Sequence, residues 1–101
     1  MKIYFENLAK GNIRNILRRC GYAEIFDRLG GKISYVRRLG TYFYPRFHIY
    51  AEETENGLAI NLHLDQKKAS YRGQVAHSGE YDEAIVKEEA ERIREKIKIS
   101  N

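Results

Sequence analysis

Two histidines, a tyrosine and an aspartate occupy alternate positions of two neighbouring β-prone segments. His48 and Tyr50 lie in the first segment, and His63 and Asp65 lie in the second. Alternate residues of a strand point to the same side of a sheet, so each pair can share one face. An imidazole that a carboxylate orients can exchange protons near neutral pH, which is the basis of general acid–base catalysis. The candidate catalytic residues of these segments are therefore His48, His63, Asp65 and Tyr50.

The same groups can hold a divalent metal ion, because histidine supplies nitrogen and aspartate supplies oxygen. A third imidazole is available at His77, in the string Ala76-His77-Ser78-Gly79. We therefore predict a metal site built on His48, His63 and His77, with His77 also a candidate catalytic residue. The alternative is a structural role, since histidines on a half-exposed strand commonly serve in packing and hydrogen bonding.

The dipeptide Asn56-Gly57 separates the two segments and predicts a tight hairpin turn between them. With these residues at the centre of the turn, His48 lies opposite Asp65 and Tyr50 lies opposite His63. The same register gathers apolar side chains on the other face of the hairpin, including Ile49 and Leu64. One face is therefore predicted to be buried and the other to carry the chemistry.

The elements that must position this hairpin follow from hydrophobic spacing and from turn residues. In chain order we expect a helix from about Leu8 to Cys20, a short helix or ordered turn from Tyr22 to Leu29, a strand from Lys32 to Leu39, a strand that begins after Pro45, a strand from Leu58 to Gln66, a loop from Lys67 to Tyr81, and a last helix with Asp82 as its N-cap. This order predicts an α+β fold, an antiparallel sheet of three to four strands with the N-terminal and C-terminal helices packed on one face.

The chain of 101 residues, 43% hydrophobic and 32% charged, has the length and composition of a single folded domain spanning residues 1–101. No apolar run approaches the roughly 20 residues that cross a bilayer, and the N-terminus lacks the pattern of a signal peptide. A single cysteine, Cys20, cannot form an internal disulfide. We therefore expect a cytoplasmic protein with no membrane partner, and the sequence leaves its oligomeric state open.

Positive charge is concentrated in the first half of the chain. Residues 10–46 contain nine basic and two acidic residues, a net charge of +7, whereas residues 47–101 have a net charge of −3. Arginine suits phosphate because its planar group donates paired hydrogen bonds, and exposed tyrosines offer stacking surfaces to bases. The candidate phosphate-binding residues are Arg37, Arg38, Arg46, Lys67, Lys68 and Arg72.

Three functions remain open at this point. The leading hypothesis is a nucleic-acid-directed domain that binds phosphate through its basic first half and the histidine face. The second is a small hydrolase or phosphodiesterase, with or without a metal ion, built on His48, His63, Asp65 and His77. The third is a protein-interaction module that uses an open strand edge.

Two resemblances extend this reasoning. The string Asp65-Gln66-Lys67 resembles the acidic-x-Lys end of the restriction-endonuclease-like core, but the preceding acid of that core maps only to Glu52 or Glu53. In the predicted register Glu52 lies roughly 13 Å along the strand from Asp65, too far for one shared metal. About half of the chain is similar to small uncharacterised bacterial proteins, through the strings Tyr44-Pro45-Arg46-Phe47-His48, 61–67 (NLHLDQK) and 76–82 (AHSGEYD). That group implies no activity.

Overall fold

The computed structural model describes residues 1–6, 10–66 and 79–100. In chain order the elements are β1 (Lys2–Glu6), α1 (Lys10–Arg19), β2 (Ala23–Asp27), β3 (Lys32–Arg38), β4 (Arg46–Thr54), β5 (Gly57–Asp65) and α2 (Gly79–Ser100). The strands form one antiparallel sheet in the order β1-β5-β4-β3-β2. The α+β class is confirmed, but the predicted three to four strands are too few, since the sheet has five.

The two additional strands are the short edge strands β1 and β2. In β1 the side chain of Ile3 is buried and that of Tyr4 is exposed, an alternation too short to stand out in the sequence. The segment that includes β2 was predicted as a helix or turn because Tyr22, Ile25, Phe26 and Leu29 have helical spacing. That prediction is wrong: Phe26 is 62% exposed and Leu29 is fully exposed, so these side chains share no buried face. Pairing with β3 holds the segment extended instead.

One face of the sheet is covered by both helices, as predicted. The apolar residues of β4 and β5 on this face pack with the buried stripes of α1 and α2 in one continuous core. Its largest fully buried side chains include Ile3, Leu17, Ile49, Leu58, Ile60, Leu62 and Ile93. Removing apolar surface of this kind from water is the main stabilising contribution to a domain of this size.

A buried carboxylate ties α2 to the sheet and to the end of α1. The Tyr22 hydroxyl donates a 2.5 Å hydrogen bond to Oε2 of Glu89, and Arg92 donates to both oxygens of that carboxylate at 2.8 and 2.9 Å. The Arg37 guanidinium completes the group at 3.3 Å. Burial together with the hydrogen bond to Glu89 raises the pKa of Tyr22 well above its usual value.

Two helix boundaries differ from the predicted ones. The first helix ends at Arg19, one residue before the predicted end at Cys20, and Gly21 closes it: this glycine has a φ of 96°, and its N–H and that of Tyr22 donate to carbonyls of the last turn. The last helix begins at Gly79, so Asp82 lies within its first turn and is not the N-cap. No helix in the described part of the chain combines the length and the apolarity needed to cross a membrane.

The β4–β5 hairpin turns one residue earlier than predicted. Thr54 pairs with Gly57, so Glu55 and Asn56 form the turn, and Gly57 already belongs to β5. This correction moves every predicted partner by two positions: His48 lies opposite His63, and Asp65 lies opposite Arg46. A shift of two keeps each side chain on its predicted face, because side chains alternate with a period of two residues. The polar face therefore survives with a different set of direct neighbours.

Candidate functional site

The polar side chains lie on the sheet face that is opposite to the two helices. Across the central strands, Arg38, Arg46 and Asp65 form one row of paired residues. In the adjacent row Val36 pairs with His48, which pairs with His63. Neighbouring strands lie about 4.8 Å apart, so side chains in these rows are within reach of one another.

Asp65 is the centre of this group. One of its oxygens, Oδ2, lies 2.8 Å from Nδ1 of His48 and accepts a 3.2 Å hydrogen bond from Nε of Arg46. The other oxygen, Oδ1, lies 3.4 Å from Nε2 of His63. A single carboxylate thus has two imidazoles and a guanidinium around it, and it remains 23% exposed.

His48 is held on both sides of its ring. A carboxylate only accepts hydrogen bonds, so the contact with Asp65 places a proton on Nδ1. Nε2 then accepts a 2.9 Å hydrogen bond from the hydroxyl of Ser34, on the neighbouring strand β3. Burial lowers the pKa of His48, although Asp65 acts in the opposite direction. The ring is therefore favoured in its neutral form, with its tautomer fixed by its two neighbours.

His63 is the accessible imidazole of the pair. Its side chain is 45% exposed, whereas that of His48 is buried. The two ring centres lie 5.1 Å apart, and the ring of Tyr50 lies 4.5 Å from His48 and 5.8 Å from His63. The tyrosine therefore packs against both imidazoles on the open face.

Two surface depressions adjoin the group. One has a volume of about 470 Å³ and is lined by Tyr44, Leu64, Asp65 and Gln66. The other, of about 540 Å³, lies in the gap between β5 and α2, on the helix-covered side of the sheet, with His63 at its edge. The first depression lets a ligand approach the carboxylate, and the imidazole of His63 is itself 45% exposed.

Arginines and aromatic rings alternate beside Asp65. The Arg46 guanidinium lies 4.7 Å from the ring centre of Tyr44 and 5.1 Å from that of Phe43. The Arg38 guanidinium lies 4.6 Å from the ring centre of the same Phe43. Contacts of this kind are attractive because the face of an aromatic ring is electron-rich. Within the described residues Arg38 has no acidic partner, so its charge is available to a ligand.

The structure brings together five of the residues chosen from the sequence: His48, Tyr50, His63, Asp65 and Arg46. Arg38 lies next to this group, because its guanidinium and that of Arg46 contact the same ring of Phe43. Arg37 does not join them, because it lies on the helix-covered face and pairs with Glu89. The remaining candidates, Lys67, Lys68, Arg72 and His77, lie outside the described residues.

Ser34 is the member of the group that the sequence reasoning missed. Its side chain is only 3% exposed and lies on the same face as Arg38, as the alternation along β3 indicates. The sequence contained that alternation, but it did not reveal that β3 pairs with β4 beside His48. Among the described residues every buried side-chain nitrogen and oxygen has a hydrogen-bond partner, so Ser34 completes a fully satisfied network.

Among the described strand residues, the charges on this open face are balanced. Alternation along the paired strands assigns four basic residues to it (Lys2, Lys32, Arg38 and Arg46) and four acidic ones (Glu6, Asp27, Glu52 and Asp65). Lys2 and Glu52 form a 2.9 Å ion pair, and Arg46 pairs with Asp65. The basic excess of the first half of the chain is therefore not gathered on the face that carries the histidines.

Comparison of the chain with family models, with curated proteins and with solved structures finds no match in any of the three.

Proposed function

We propose that this chain is a small hydrolase of phosphate esters that acts on the open face of its sheet. The observation that carries the proposal is the position of Asp65, whose carboxylate is shared by two imidazoles and a guanidinium and is still reached by solvent. A polar group of this kind on buried strands costs stability unless all its members are paired. Such clusters are frequent at functional sites.

The acid–base step falls to His63. With its Nε2 beside Oδ1 of Asp65, the opposite ring nitrogen has no hydrogen-bond partner among the described residues. A carboxylate that orients an exposed imidazole makes that ring an effective general base. The water oxygen bonds to phosphorus, its proton passes to His63, and the ester P–O bond breaks. The proton then passes to the alkoxide that leaves.

His48 and Ser34 act as positioning residues. His48 is buried and donates to Oδ2 of Asp65, so it fixes the carboxylate without meeting a substrate. Ser34 is also buried, which removes it as the attacking nucleophile even though its hydroxyl donates to an imidazole. These contacts form a chain from Ser34 through His48 and Asp65 to His63. Of its two imidazoles, only that of His63 is open to a ligand.

A phosphate ester suits the cations beside the site. Arg38 has no acidic partner among the described residues, and it adjoins Arg46 in the same row as Asp65. Guanidinium groups stabilise phosphate oxygens through paired, charge-assisted hydrogen bonds. The balanced charge of the open face favours a substrate with few phosphates over a long duplex, whose binding depends on many basic contacts.

Single-stranded nucleic-acid binding without chemistry is the second candidate. It is favoured by the stack of Arg38, Phe43, Arg46 and Tyr44 beside the site. The neighbouring Tyr42 is 81% exposed, and an exposed aromatic ring can stack on a base of any sequence.

The test is hydrolysis of bis(p-nitrophenyl) phosphate and p-nitrophenyl phosphate by the full chain, with and without added Zn²⁺ or Mn²⁺. We expect turnover above the uncatalysed rate and a loss of about 10²-fold or more in His63→Gln, the size of a general acid–base contribution. Asp65→Asn should lose a comparable factor. Glu53→Gln, which alters an exposed carboxylate of the same hairpin, should keep the wild-type rate.

Two results would overturn the hydrolase. One is a wild-type rate equal to the buffer rate on both esters under every metal condition. The other is hydrolysis that His63→Gln and Asp65→Asn leave unchanged while both variants keep the wild-type circular-dichroism spectrum. Salt-dependent binding of a labelled oligonucleotide that Arg38→Gln weakens, in the absence of hydrolysis, would establish the second candidate instead.

A further inference from the structure

We infer that His48, His63 and Asp65 form a binding site for one divalent transition metal ion of the zinc type. The inference rests on the proposed function, because it specifies how the same site would activate water. One ligand atom from each of the three residues lies within 4.8 Å of the other two. The ligands of a tetrahedral zinc ion lie about 3.3 Å apart, since each is about 2.0–2.1 Å from the metal. Small side-chain rotations would therefore bring the three ligand atoms to coordination distance from one ion.

The type of ligand selects the type of ion. Two imidazole nitrogens and one carboxylate oxygen suit Zn²⁺ and its first-row neighbours, whereas Mg²⁺ and Ca²⁺ prefer oxygen ligands alone. Three protein ligands leave a fourth position for water, which is the arrangement of catalytic rather than structural zinc sites. An ion in this position would lower the pKa of the water that it binds to near neutrality. With the ion bound, His63 would serve as a ligand, and the lowered pKa of the bound water would replace the general-base role that His63 has in the metal-free site.

Ser34 gives His48 the freedom to become a ligand. Without metal, Nδ1 carries the proton towards Asp65 and Nε2 accepts from Ser34. When Nδ1 binds an ion, the proton must move to Nε2, which then donates to Oγ of Ser34. A hydroxyl can serve as donor or acceptor by rotating, so the hydrogen bond between Nε2 and Oγ can be kept in both tautomers. Ligating histidines usually have such an oxygen partner on the second ring nitrogen.

Arg46 fixes the carboxylate for this purpose. Its Nε donates to Oδ2 of Asp65, the oxygen that also faces His48. Oδ1 faces His63 and remains available to an ion between the two rings. The nearby positive charge of Arg46 repels any cation at the site, so binding depends on the bonds to the three ligands, which suffice for one ion only.

The test measures metal binding directly. Full-length protein, freed of metal with a chelator and dialysed, is titrated with Zn²⁺ by calorimetry and with Co²⁺ by visible absorption. We expect one equivalent of either ion, with the intense visible bands of four-coordinate Co²⁺, and no binding of Mg²⁺ or Ca²⁺. His63→Gln and Asp65→Asn should each weaken the affinity at least 100-fold. Ser34→Ala should weaken it about 10- to 100-fold, the usual effect of losing the partner of a ligating histidine.

Glu53→Gln is the matched control and should bind as the wild type does. His48 is buried, and its replacement can unfold the chain. The decisive variant is therefore His63→Gln, at a half-exposed position. The proposal is overturned if Zn²⁺ and Co²⁺ fail to bind, or if His63→Gln binds them with wild-type affinity. Metal binding without ester hydrolysis would remove the hydrolase and leave the metal site. Hydrolysis that continues in chelated, metal-free protein, together with no binding of Zn²⁺ or Co²⁺, would remove the metal site and leave the hydrolase.

Discussion

His48 and Ser34 are joined by a 2.9 Å hydrogen bond between Nε2 and Oγ, on the side of the imidazole that faces away from Asp65. The bond links the neighbouring strands β3 and β4 through their side chains. It also gives the buried Nε2 of His48 a hydrogen-bond partner. Because it fixes the ring of His48, it also helps to hold the carboxylate of Asp65, which His48 contacts. The stability of the site therefore depends on a residue that is itself closed off from solvent.

Ser34→Ala should destabilise the protein by about 1–3 kcal/mol, because it leaves a buried imidazole nitrogen without a hydrogen bond. Urea unfolding followed by circular dichroism measures this loss. Thr54→Ala, which also removes a hydroxyl but at an exposed position of β4, should change the free energy of unfolding by less than about 0.5 kcal/mol. Equal stability of Ser34→Ala and the wild type would show that the hydrogen bond makes no net contribution.

Glu89→Gln should destabilise the protein by about 2 kcal/mol, the scale of hydrogen bonds to charged groups. The carboxylate is buried and accepts from Tyr22, Arg37 and Arg92, and an amide cannot replace its charge towards two guanidinium groups. Glu88→Gln is the control, since Glu88 is exposed on the same helix. A thermal melt in which both variants unfold at the wild-type temperature would contradict this account.

The polar face could be predicted from the sequence because alternation along a strand is a local property. His48 and Tyr50 share a face, and so do His63 and Asp65, whichever residues form the turn. The contact between His48 and Asp65 was also expected, but as a directly opposite pair. It occurs instead on a diagonal, because Gly57 begins β5 and the turn lies at Glu55 and Asn56. Hydrophobic patterning cannot distinguish these two registers, since both bury the same side chains.

The rest of the site depends on strand order, which is not a local property. Ser34 and Arg38 reach the hairpin only because β3 pairs with β4 rather than with another strand. Arg37, one residue away from Arg38, points to the helices and binds Glu89. Counting arginines along the chain therefore overstated the charge that any one surface presents. The helical spacing around Ile25 was misleading for a similar reason, because pairing with β3 overrides a weak local preference.

Gly21→Ala should destabilise the protein by about 1 kcal/mol, because the φ of 96° at the end of α1 is unfavourable for a residue with a side chain. The added carbon would meet nothing closer than 3.6 Å, so the cost is conformational rather than steric. Gly40→Ala is the control: it has no positive φ and open space around it, and it should be neutral or slightly stabilising. Urea unfolding of both variants checks the difference, and equal loss in the two would contradict it.

Tyr22→Phe should lose less stability at high pH than the wild type does. The folded state raises the pKa of Tyr22 above the value of about 10 in the unfolded chain, because burial and Glu89 disfavour the phenolate. The unfolded state therefore releases this proton first. The contribution of Tyr22 is fully present below about pH 10 and is lost as the pH rises towards the folded pKa, by up to about 1.4 kcal/mol per pH unit. The difference in free energy of unfolding between the wild type and Tyr22→Phe should shrink over this range.

The measurement is urea unfolding of wild type and variant at a series of values from about pH 8 to pH 11, which brackets the ordinary tyrosine pKa. Comparing the two proteins removes the titration of lysines and other tyrosines, since both contain the same ones. Tyr42→Phe, at a highly exposed position, should follow the wild type at every pH. If the difference between wild type and Tyr22→Phe is constant over the whole range, the phenol is not protected by burial, and Glu89 does not hold it in its neutral form.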